Sequence, residues 1–192
     1  MSEPLPGWYD DLEGFEANAW QQLTRGAADR RSAFHTPVVA SVGPNGEPNA
    51  RTVVLRGCDP KERTLRFHTD KRAAKVAELQ ASPSLCLVFY DKGQKLQLRV
   101  RGRAELHGST SEIGGEAWDK TRSFSRECYR VAPDPGSPIG KGGEYGHSER
   151  TDGGDAFTAV VVHIETIEAL YLAAAGHRRA SFTISARQWL VP

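Results

Sequence analysis

The sequence predicts a mainly β protein with flanking helices, in which an antiparallel sheet closes into a barrel. Residues 96–101 alternate strictly between apolar and polar side chains, as a strand with one buried face does. The dipeptide Asn45-Gly46 separates two β-rich runs, which is a hairpin signal. Five such runs follow one another with short turns and one short helix between them, a pattern that favours a closed antiparallel sheet.

Composition limits the organisation and the class of protein. A chain of 192 residues is long enough for one well-buried domain and too short for two ordinary ones, so residues 1–192 are expected to form a single domain. With 25 Lys plus Arg against 24 Asp plus Glu, the net charge is +1, and nothing directs the whole molecule toward nucleic acid. No apolar run is long enough to span a bilayer and no leader is evident, so a cytoplasmic location without membrane contact is expected.

The three cysteines are odd in number, widely spaced and without a CxxC pair. This argues against both a disulfide framework and a zinc site, and reduced, mostly buried thiols are expected. The six histidines are also scattered without the spacing of metal ligands, so no metal site is predicted. His177 differs from the others because Arg178 and Arg179 follow it directly and form a compact group of donors.

The first elements follow from changes of period. Residues 8–26 place apolar side chains at three- and four-residue spacing, which predicts a helix that ends at Gly26; they are Trp8, Leu12, Phe15, Ala19 and Leu23. Residues 34–43, 49–57 and 64–70 are then expected to form a meander of three antiparallel strands. A short helix follows, with Ala73, Val76 and Leu79 on its buried face.

The second half of the chain continues the pattern. Residues 84–91 are almost wholly apolar, which predicts a strand buried on both faces, and residues 96–106 form the alternating strand. Residues 109–129 look helical, with Ile113, Ala117 and Trp118 as the expected buried members. The region 131–155 is rich in Gly, Pro and charge; a loop of this length is usually either disordered or functional, and the residues do not decide between the two. Residues 156–172 and 178–185 are expected to form three further strands, followed by a tail at 188–192.

The motifs of cofactor-free hydrolases, zinc proteases, P-loop NTPases and Rossmann dinucleotide-binding proteins are not present in the sequence. Residues 51–75 instead combine basic and hydroxyl side chains at strand ends and in the first turn of the short helix, where a phosphate could be held. They are Arg51, Thr52, His68, Thr69, Arg72 and Lys75. The same residues also fit ordinary solvated helix positions with Thr69 or Asp70 as the helix N-cap, and by themselves they leave both interpretations open.

Three segments, in order and with the same spacing, resemble a known family. TPVVASVGPNGEPNARTVVLRG, LRFHTDKRAAK and LQLRVRG are similar to the flavin-binding half of the pyridoxamine 5'-phosphate oxidase family, in particular its short FMN-binding, oxidase-related branch. The resemblance extends from about Phe34 to the C-terminus. It implies an antiparallel split β-barrel, homodimeric, with FMN at the subunit interface.

The resemblance also implies roles for individual residues. Arg51 meets the FMN phosphate, Thr52, Val53 and Val54 line the flavin ring, and His68, Thr69, Arg72 and Lys75 complete that half of the cofactor site. Gln97 reaches the flavin ring or its ribityl chain from the other subunit, and Arg179, near the C-terminal end, is a further cofactor-binding residue. A small-molecule substrate is expected at Arg56, Trp118, Arg122 and His177, and Trp118 and Arg122 keep the family's aromatic-arginine spacing.

Three positions depart from the oxidase pattern. Ala74 stands where an arginine usually precedes the helix lysine, Leu170 where an aromatic residue lies near the flavin, and Ala175 where a substrate arginine stands. The function expected is therefore that of an FMN-binding oxidoreductase whose substrate, electron donor and acceptor the sequence does not name. The alternatives are a true pyridoxamine or pyridoxine phosphate oxidase and a non-catalytic module that binds a flavin or haem.

Overall fold

The structure is a computed structural model, which describes residues 4–147 and 152–192. Four α-helices and nine strands lie within these residues. The helices are α1 (Leu12–Ala28), α2 (Ala74–Ala81), α3 (Glu112–Asp119) and α4 (Ser123–Arg126). The strands are β1 (Val38–Val42), β2 (Pro48–Thr52), β3 (Leu55–Asp59), β4 (Thr64–Asp70), β5 (Ser84–Asp91), β6 (Leu96–Gly108), β7 (Phe157–Tyr171), β8 (Arg178–Phe182) and β9 (Arg187–Leu190).

All the strand pairs are antiparallel and belong to one sheet, in the order β2-β1-β5-β6-β7-β4-β3, with β8 on β7 and β9 on β8. The two ends of this order, β2 and β3, are consecutive in sequence and are joined by Val53 and Val54. The amide of Val53 also donates to the carbonyl of Pro37 over 2.9 Å. The sheet therefore curls back on itself, which confirms the predicted split barrel.

The expected meander of three strands is wrong in one respect. Residues 49–57 do not form one strand: β2 pairs with β1, β3 pairs with β4, and the chain between them crosses from one end of the sheet to the other. Local alternation in the sequence cannot reveal such a crossing, because it contains no information about which strand lies alongside.

The barrel interior holds the apolar core, and α1 covers one opening. Phe15, Ala19 and Leu23 of α1 are fully buried against it, as the helical spacing predicts. The helix begins at Leu12 rather than at residue 8, because Asp11 caps it by accepting a hydrogen bond from the amide of Glu13. Trp8 precedes the helix and still stacks on Phe15, with 4.9 Å between ring centroids.

The prediction that both faces of β5 are buried is wrong. Leu85, Leu87 and Phe89 point into the barrel, whereas Tyr90 on the outer face is 50% exposed. The outer faces of β1 and β5 therefore present apolar side chains to solvent in the single chain, and Val38 is 39% exposed.

The predicted helix at 109–129 is interrupted. The helix α3 ends at Asp119, and the guanidinium of Arg126 donates to the carbonyls of Trp118 and Thr121, which ends the α-helical pattern there. Ala117 and Trp118 are buried as expected, but Ile113 is 41% exposed. Gly114 faces the barrel instead, because a Cβ there would lie 1.9 Å from the carbonyl oxygen of Gly108.

The end of the chain also differs in detail. Residues 157–171 form one strand of 15 residues, and its register with β6 shifts between Arg101 and Gly102, which leaves Glu165 of β7 as an extra residue. The expected tail contains the strand β9. Within the predicted loop at 131–155, Val131 and His147 form an isolated bridge and Gly154–Ala156 a short 3-10 helix; residues 148–151 lie outside the described residues.

Candidate functional site

The N-terminus of α2 gathers several of the predicted phosphate-binding groups. Thr69 is the last residue but one of β4 and is 7% exposed, and the Lys75 ammonium donates to its hydroxyl over 3.0 Å. Burial and the nearby positive charge of Arg51 together lower the pKa of Lys75. Ala73 stands at the N-cap position and has no side chain to bond the first amides of the helix. An anion placed here would meet an ammonium group and the positive end of a helix.

Arg51 is anchored beside this helix by the buried carboxylate of Glu78. Its Nη2 lies 3.0 Å from Oε2 of Glu78, and its other terminal nitrogen donates to the hydroxyl of Ser41. Burial alone would raise the pKa of Glu78, but hydrogen bonds from Ser41, Arg51 and Asn49 and the charge of Arg51 hold it below its usual value. We call Arg51, Thr69, Lys75 and Glu78 the α2 cluster. In this cluster one cation has a carboxylate partner and the other does not have one at salt-bridge distance.

The link between β2 and β3 places the three residues predicted to line the flavin ring. Thr52 is exposed, Val53 is buried and Val54 faces a cavity described below. They follow Arg51 directly, so a ligand bound at the α2 cluster could extend along them.

Arg72 lies just before α2, not on its first turn as the spacing suggested. Its guanidinium forms a paired contact with Asp70, at 3.0 Å and 2.7 Å, and donates to the carbonyls of Val131 and Ala132. It therefore fastens the start of the long loop to the β4–α2 turn. Its predicted contact with phosphate remains a prediction.

Gln97 and Arg179 lie elsewhere in the single chain. The register of β6, β7 and β8 puts Gln97, Leu170 and Arg179 in one row on the outer face of the sheet. Arg179 donates to Glu168 over 2.9 Å, and Arg99 contacts the same carboxylate at 3.2 Å. His177 is exposed and lines a small pocket with Arg179 and Trp189. No hydrogen bond or ion pair joins this row to the α2 cluster among the described residues.

A cavity of about 570 Å³ opens beside Val54, between the end of α1, the strands β3 and β4, and the α3–α4 segment. The predicted substrate residues Arg56 and Arg122 line it, together with Arg30 and Arg66. We call this space the arginine cavity. Trp118 does not line it: the indole is 6% exposed, packs on Phe157 and donates to Asp152 over 3.3 Å. The residues expected to share a substrate site are thus divided, with His177 in a separate pocket.

His68 forms part of the wall of the arginine cavity. Its ring meets Phe157 edge to face at 4.9 Å, and its Nε2 is buried without a hydrogen-bond partner in the described chain. Burial and then the charges of Arg66 and Arg56 lower its pKa to about 4, so the ring is neutral at neutral pH. A buried ring nitrogen of this kind can donate to or accept from a ligand.

Arg30 and Arg66 were not selected from the sequence. Arg66 and His68 are two residues apart in one strand and therefore share a face, which is a signal that could have identified Arg66. No sequence pattern connects Arg30, just after α1, to that strand.

The described residues contain no group of three or more metal-ligating side chains. Within the same residues, no helix combines the length and the apolar character needed to cross a membrane. Cys58, Cys86 and Cys128 are free; the first two are half-buried and the third is exposed.

The fold defines this protein as a split barrel, and the proteins similar to it are consistent with that class. The sequence profile described as "Pyridoxamine 5'-phosphate oxidase, FMN-binding domain" matches residues 17–108. Pyridoxine/pyridoxamine 5'-phosphate oxidase 2 of Arabidopsis thaliana is 34% identical over 136 residues, which cover 65% of this chain and 67% of that protein. The chain belongs to the pyridoxamine 5'-phosphate oxidase family of FMN-binding proteins.

Other relatives match over a shorter part of their length. A pyridoxine/pyridoxamine 5'-phosphate oxidase of Rubrobacter xylanophilus is 41% identical over 48% of this chain and 42% of its own length. The oxidase of Azorhizobium caulinodans is 45% identical over 51% of this chain and 39% of its own. The matched segment thus spans about two fifths of these two bacterial proteins.

Solved structures share the fold. A pyridoxamine 5'-phosphate oxidase-related, FMN binding protein from Nostoc punctiforme aligns with a TM-score of 0.74 at 23% identity, over 99% of this chain and all of the other. PhzG from Burkholderia lata, in complex with tetrahydrophenazine-1-carboxylic acid, aligns with a TM-score of 0.69 at 14% identity, over 100% of this chain and 99% of the other. At these identities the likeness concerns the fold alone.

Proposed function

We propose that this chain is an FMN-dependent oxidoreductase that works as a homodimer on an anionic small molecule. The observation that carries the proposal is the α2 cluster, because it places Arg51 and Lys75 beside the uncapped N-terminus of α2 in a chain that belongs to an FMN-binding family. Bound FMN would supply hydride and electron transfer, and the protein would supply its position and surroundings.

The residues of the α2 cluster fit a phosphate group. The Lys75 ammonium has one hydrogen bond, to Thr69, and an ammonium carries three donors, so it can add a phosphate oxygen. The helix N-terminus favours the same negative charge. Thr52, Val53 and Val54 lead from there to the arginine cavity, so a flavin ring along them would have its substrate side at Arg56, Arg122 and His68.

A second subunit accounts for the two predicted cofactor residues that lie away from the α2 cluster in a single chain. Gln97 and Arg179 lie on the outer face of the sheet, together with the exposed apolar side chains of Val38 and Tyr90. Apolar groups in such a position favour burial against a partner. In the proposed homodimer, Gln97 and Arg179 of one subunit contact the FMN that the other subunit's α2 cluster holds.

Lys75→Ala tests the phosphate site directly. We expect it to weaken FMN binding by about 1.5–3 kcal/mol, since a charge-assisted contact is lost, and to leave the weaker binding of riboflavin unchanged, because riboflavin has no phosphate. Fluorescence quenching of each flavin during titration measures both affinities. Lys71→Ala is the matched control, because that side chain is exposed in the turn between β4 and α2. Equal losses for FMN and riboflavin, or no loss, would contradict the assignment.

The shared site can be tested by mixing subunits. Lys75→Ala and Arg179→Ala should each bind FMN weakly, whereas a mixed dimer of the two variants has one site that combines a normal α2 cluster with a normal Arg179. Roughly half the sites of a mixed dimer should therefore regain normal affinity. Dimers are separated by differential tags and their flavin content is measured. No recovery in a verified mixed dimer would argue that each site lies within one subunit.

A true pyridoxine/pyridoxamine 5'-phosphate oxidase is the second candidate, favoured by the two arginines of the cavity that match the predicted substrate positions, Arg56 and Arg122. Oxidation of pyridoxamine 5'-phosphate by the FMN-loaded protein decides between the two. Ala175, in place of the substrate arginine of the resemblance, leads us to expect little or no turnover of that compound.

A further inference from the structure

The arginine cavity contains more positive charge than its surroundings neutralise. Five basic side chains line it, and no Asp or Glu is among the lining residues. Glu116 lies outside the lining; it is paired with Lys120 at 3.0 Å, and the charge of Arg66 also acts on this carboxylate, although Arg66 is not within ion-pair distance of it. The guanidinium groups of Arg30, Arg56, Arg66 and Arg122 have no ion-pair partner within 4–147 and 152–192. Clustered like charges repel each other, so such a group is stabilised by a bound anion.

Arg66 is held in place although it has no partner. Its Nε is buried and without a hydrogen bond in the described chain, which is costly for a charged donor. Its side chain lies over Gly57: a Cβ at that glycine would be 3.3 Å from the Arg66 Cβ and 3.4 Å from Nε. Gly57 is the cross-strand neighbour of Arg66, and its lack of a side chain leaves room beside the Arg66 side chain.

Arg56 is directed toward the same space by an irregularity of the backbone. The register of β3 on β4 shifts between Leu55 and Gly57, which leaves Arg56 as an extra residue. Such a bulge changes the direction of a side chain and is frequent beside functional sites. Arg56, Arg66 and His68 all line the cavity, and the charges of both arginines act on His68.

We propose that the arginine cavity takes a substrate with two anionic groups, and that Arg66 binds the second of them while Arg56 and Arg122 bind the first. This rests on the proposed function for its connection with redox chemistry. Four unpartnered guanidinium groups exceed what one phosphate or carboxylate requires, and a volume of about 570 Å³ is in the range of sites for whole small molecules. Arg66 is assigned the specificity-determining role because its Nε is buried at this cavity without a hydrogen bond in the described chain.

Two probes test this proposal: inorganic pyrophosphate, which has two anionic groups, and orthophosphate, which has one. They are titrated into the full-length protein by calorimetry, with FMN present and without it, which keeps the result independent of whether FMN binds. Pyrophosphate should bind at least about tenfold more tightly than orthophosphate, and Arg66→Gln should remove at least about tenfold of the pyrophosphate affinity, as expected for loss of a charged contact. Orthophosphate affinity should change by less than about twofold, and FMN affinity should remain at its wild-type value.

Arg31→Gln is the matched control, because that side chain is 92% exposed and outside the cavity. Gly57→Ala is a second variant, whose added methyl group would lie 3.3 Å from the Arg66 Cβ and would shift that side chain only slightly, without removing a charge; it should weaken pyrophosphate binding by less than Arg66→Gln does. The proposal is overturned if pyrophosphate binds no more tightly than orthophosphate, or if Arg66→Gln and Arg31→Gln behave alike. If the wild-type protein does not bind FMN, the proposed function is overturned instead.

Discussion

The α2 cluster and the arginine cavity are both basic, but they differ in how their positive charge is compensated. In the α2 cluster, Glu78 is 5% exposed and holds Arg51 through a contact of 3.0 Å. In the arginine cavity, Arg66 has a buried Nε without a partner and a glycine beneath it. The first arrangement fixes a cation with the protein's own carboxylate. The second leaves the compensating charge to be supplied from outside.

The difference separates stability from recognition. A buried guanidinium with a carboxylate partner contributes to the fold, since removal of one partner leaves the other charge uncompensated. A guanidinium without a partner contributes little to the stability of the fold. Its removal is expected to lower the affinity for a ligand. Variants of the two regions should therefore differ in what they change, not only in how much.

The largest effect is expected at the Arg51–Glu78 pair. Arg51→Ala should lower the free energy of unfolding by about 3–5 kcal/mol, because the carboxylate of Glu78 stays buried without its partner. The double variant Arg51→Met/Glu78→Leu should recover most of this stability, since both charges are then absent, but not the affinity for FMN. Urea unfolding measures the first quantity and flavin titration the second. A double variant as unstable as the single one would show that the pair is not what stabilises this region.

A smaller effect is expected from His68 as the pH changes. Its pKa of about 4 lies below the ordinary value of 6.5, so the unfolded chain takes up the proton first as the pH falls. The stability linked to this histidine is complete above pH 6.5 and is lost between about pH 6.5 and 4, by up to about 3 kcal/mol. His68→Phe, which keeps an aromatic ring against Phe157, should flatten the pH dependence of unfolding in that interval.

His177→Gln is the control for this experiment, because His177 is exposed and lines a separate pocket. Orthophosphate or pyrophosphate bound in the cavity should also reduce the effect, because an anion beside Arg56 and Arg66 offsets the charges that disfavour protonation of His68. A pH dependence that survives His68→Phe unchanged would place its origin elsewhere.

Much of the fold could be predicted from local pattern. The alternation at 96–101 and the Asn45-Gly46 turn identify β6 and the β1–β2 hairpin, because strands with one buried face have period 2 and tight hairpins need such turn residues. The break in the predicted strand at Val53 and Val54 could not be predicted, since it depends on which strands lie beside β2 and β3. The exposed outer face of β5 could not be predicted for a related reason. An apolar run fits a strand that is buried on both faces within one chain, and it also fits a strand whose outer face is exposed in the single chain.

For the site, the sequence by itself determined which groups could meet a phosphate: Arg51 and Thr69 precede a helix start, and Lys75 lies on the first turn of that helix. Only the tertiary structure decided how their charges are compensated. Glu78 and Ser41 come from different elements, and Arg30, Arg66 and Arg122 meet at one cavity from three separate segments. Electrostatic compensation acts through space over a few ångströms, and distance along the chain does not determine it.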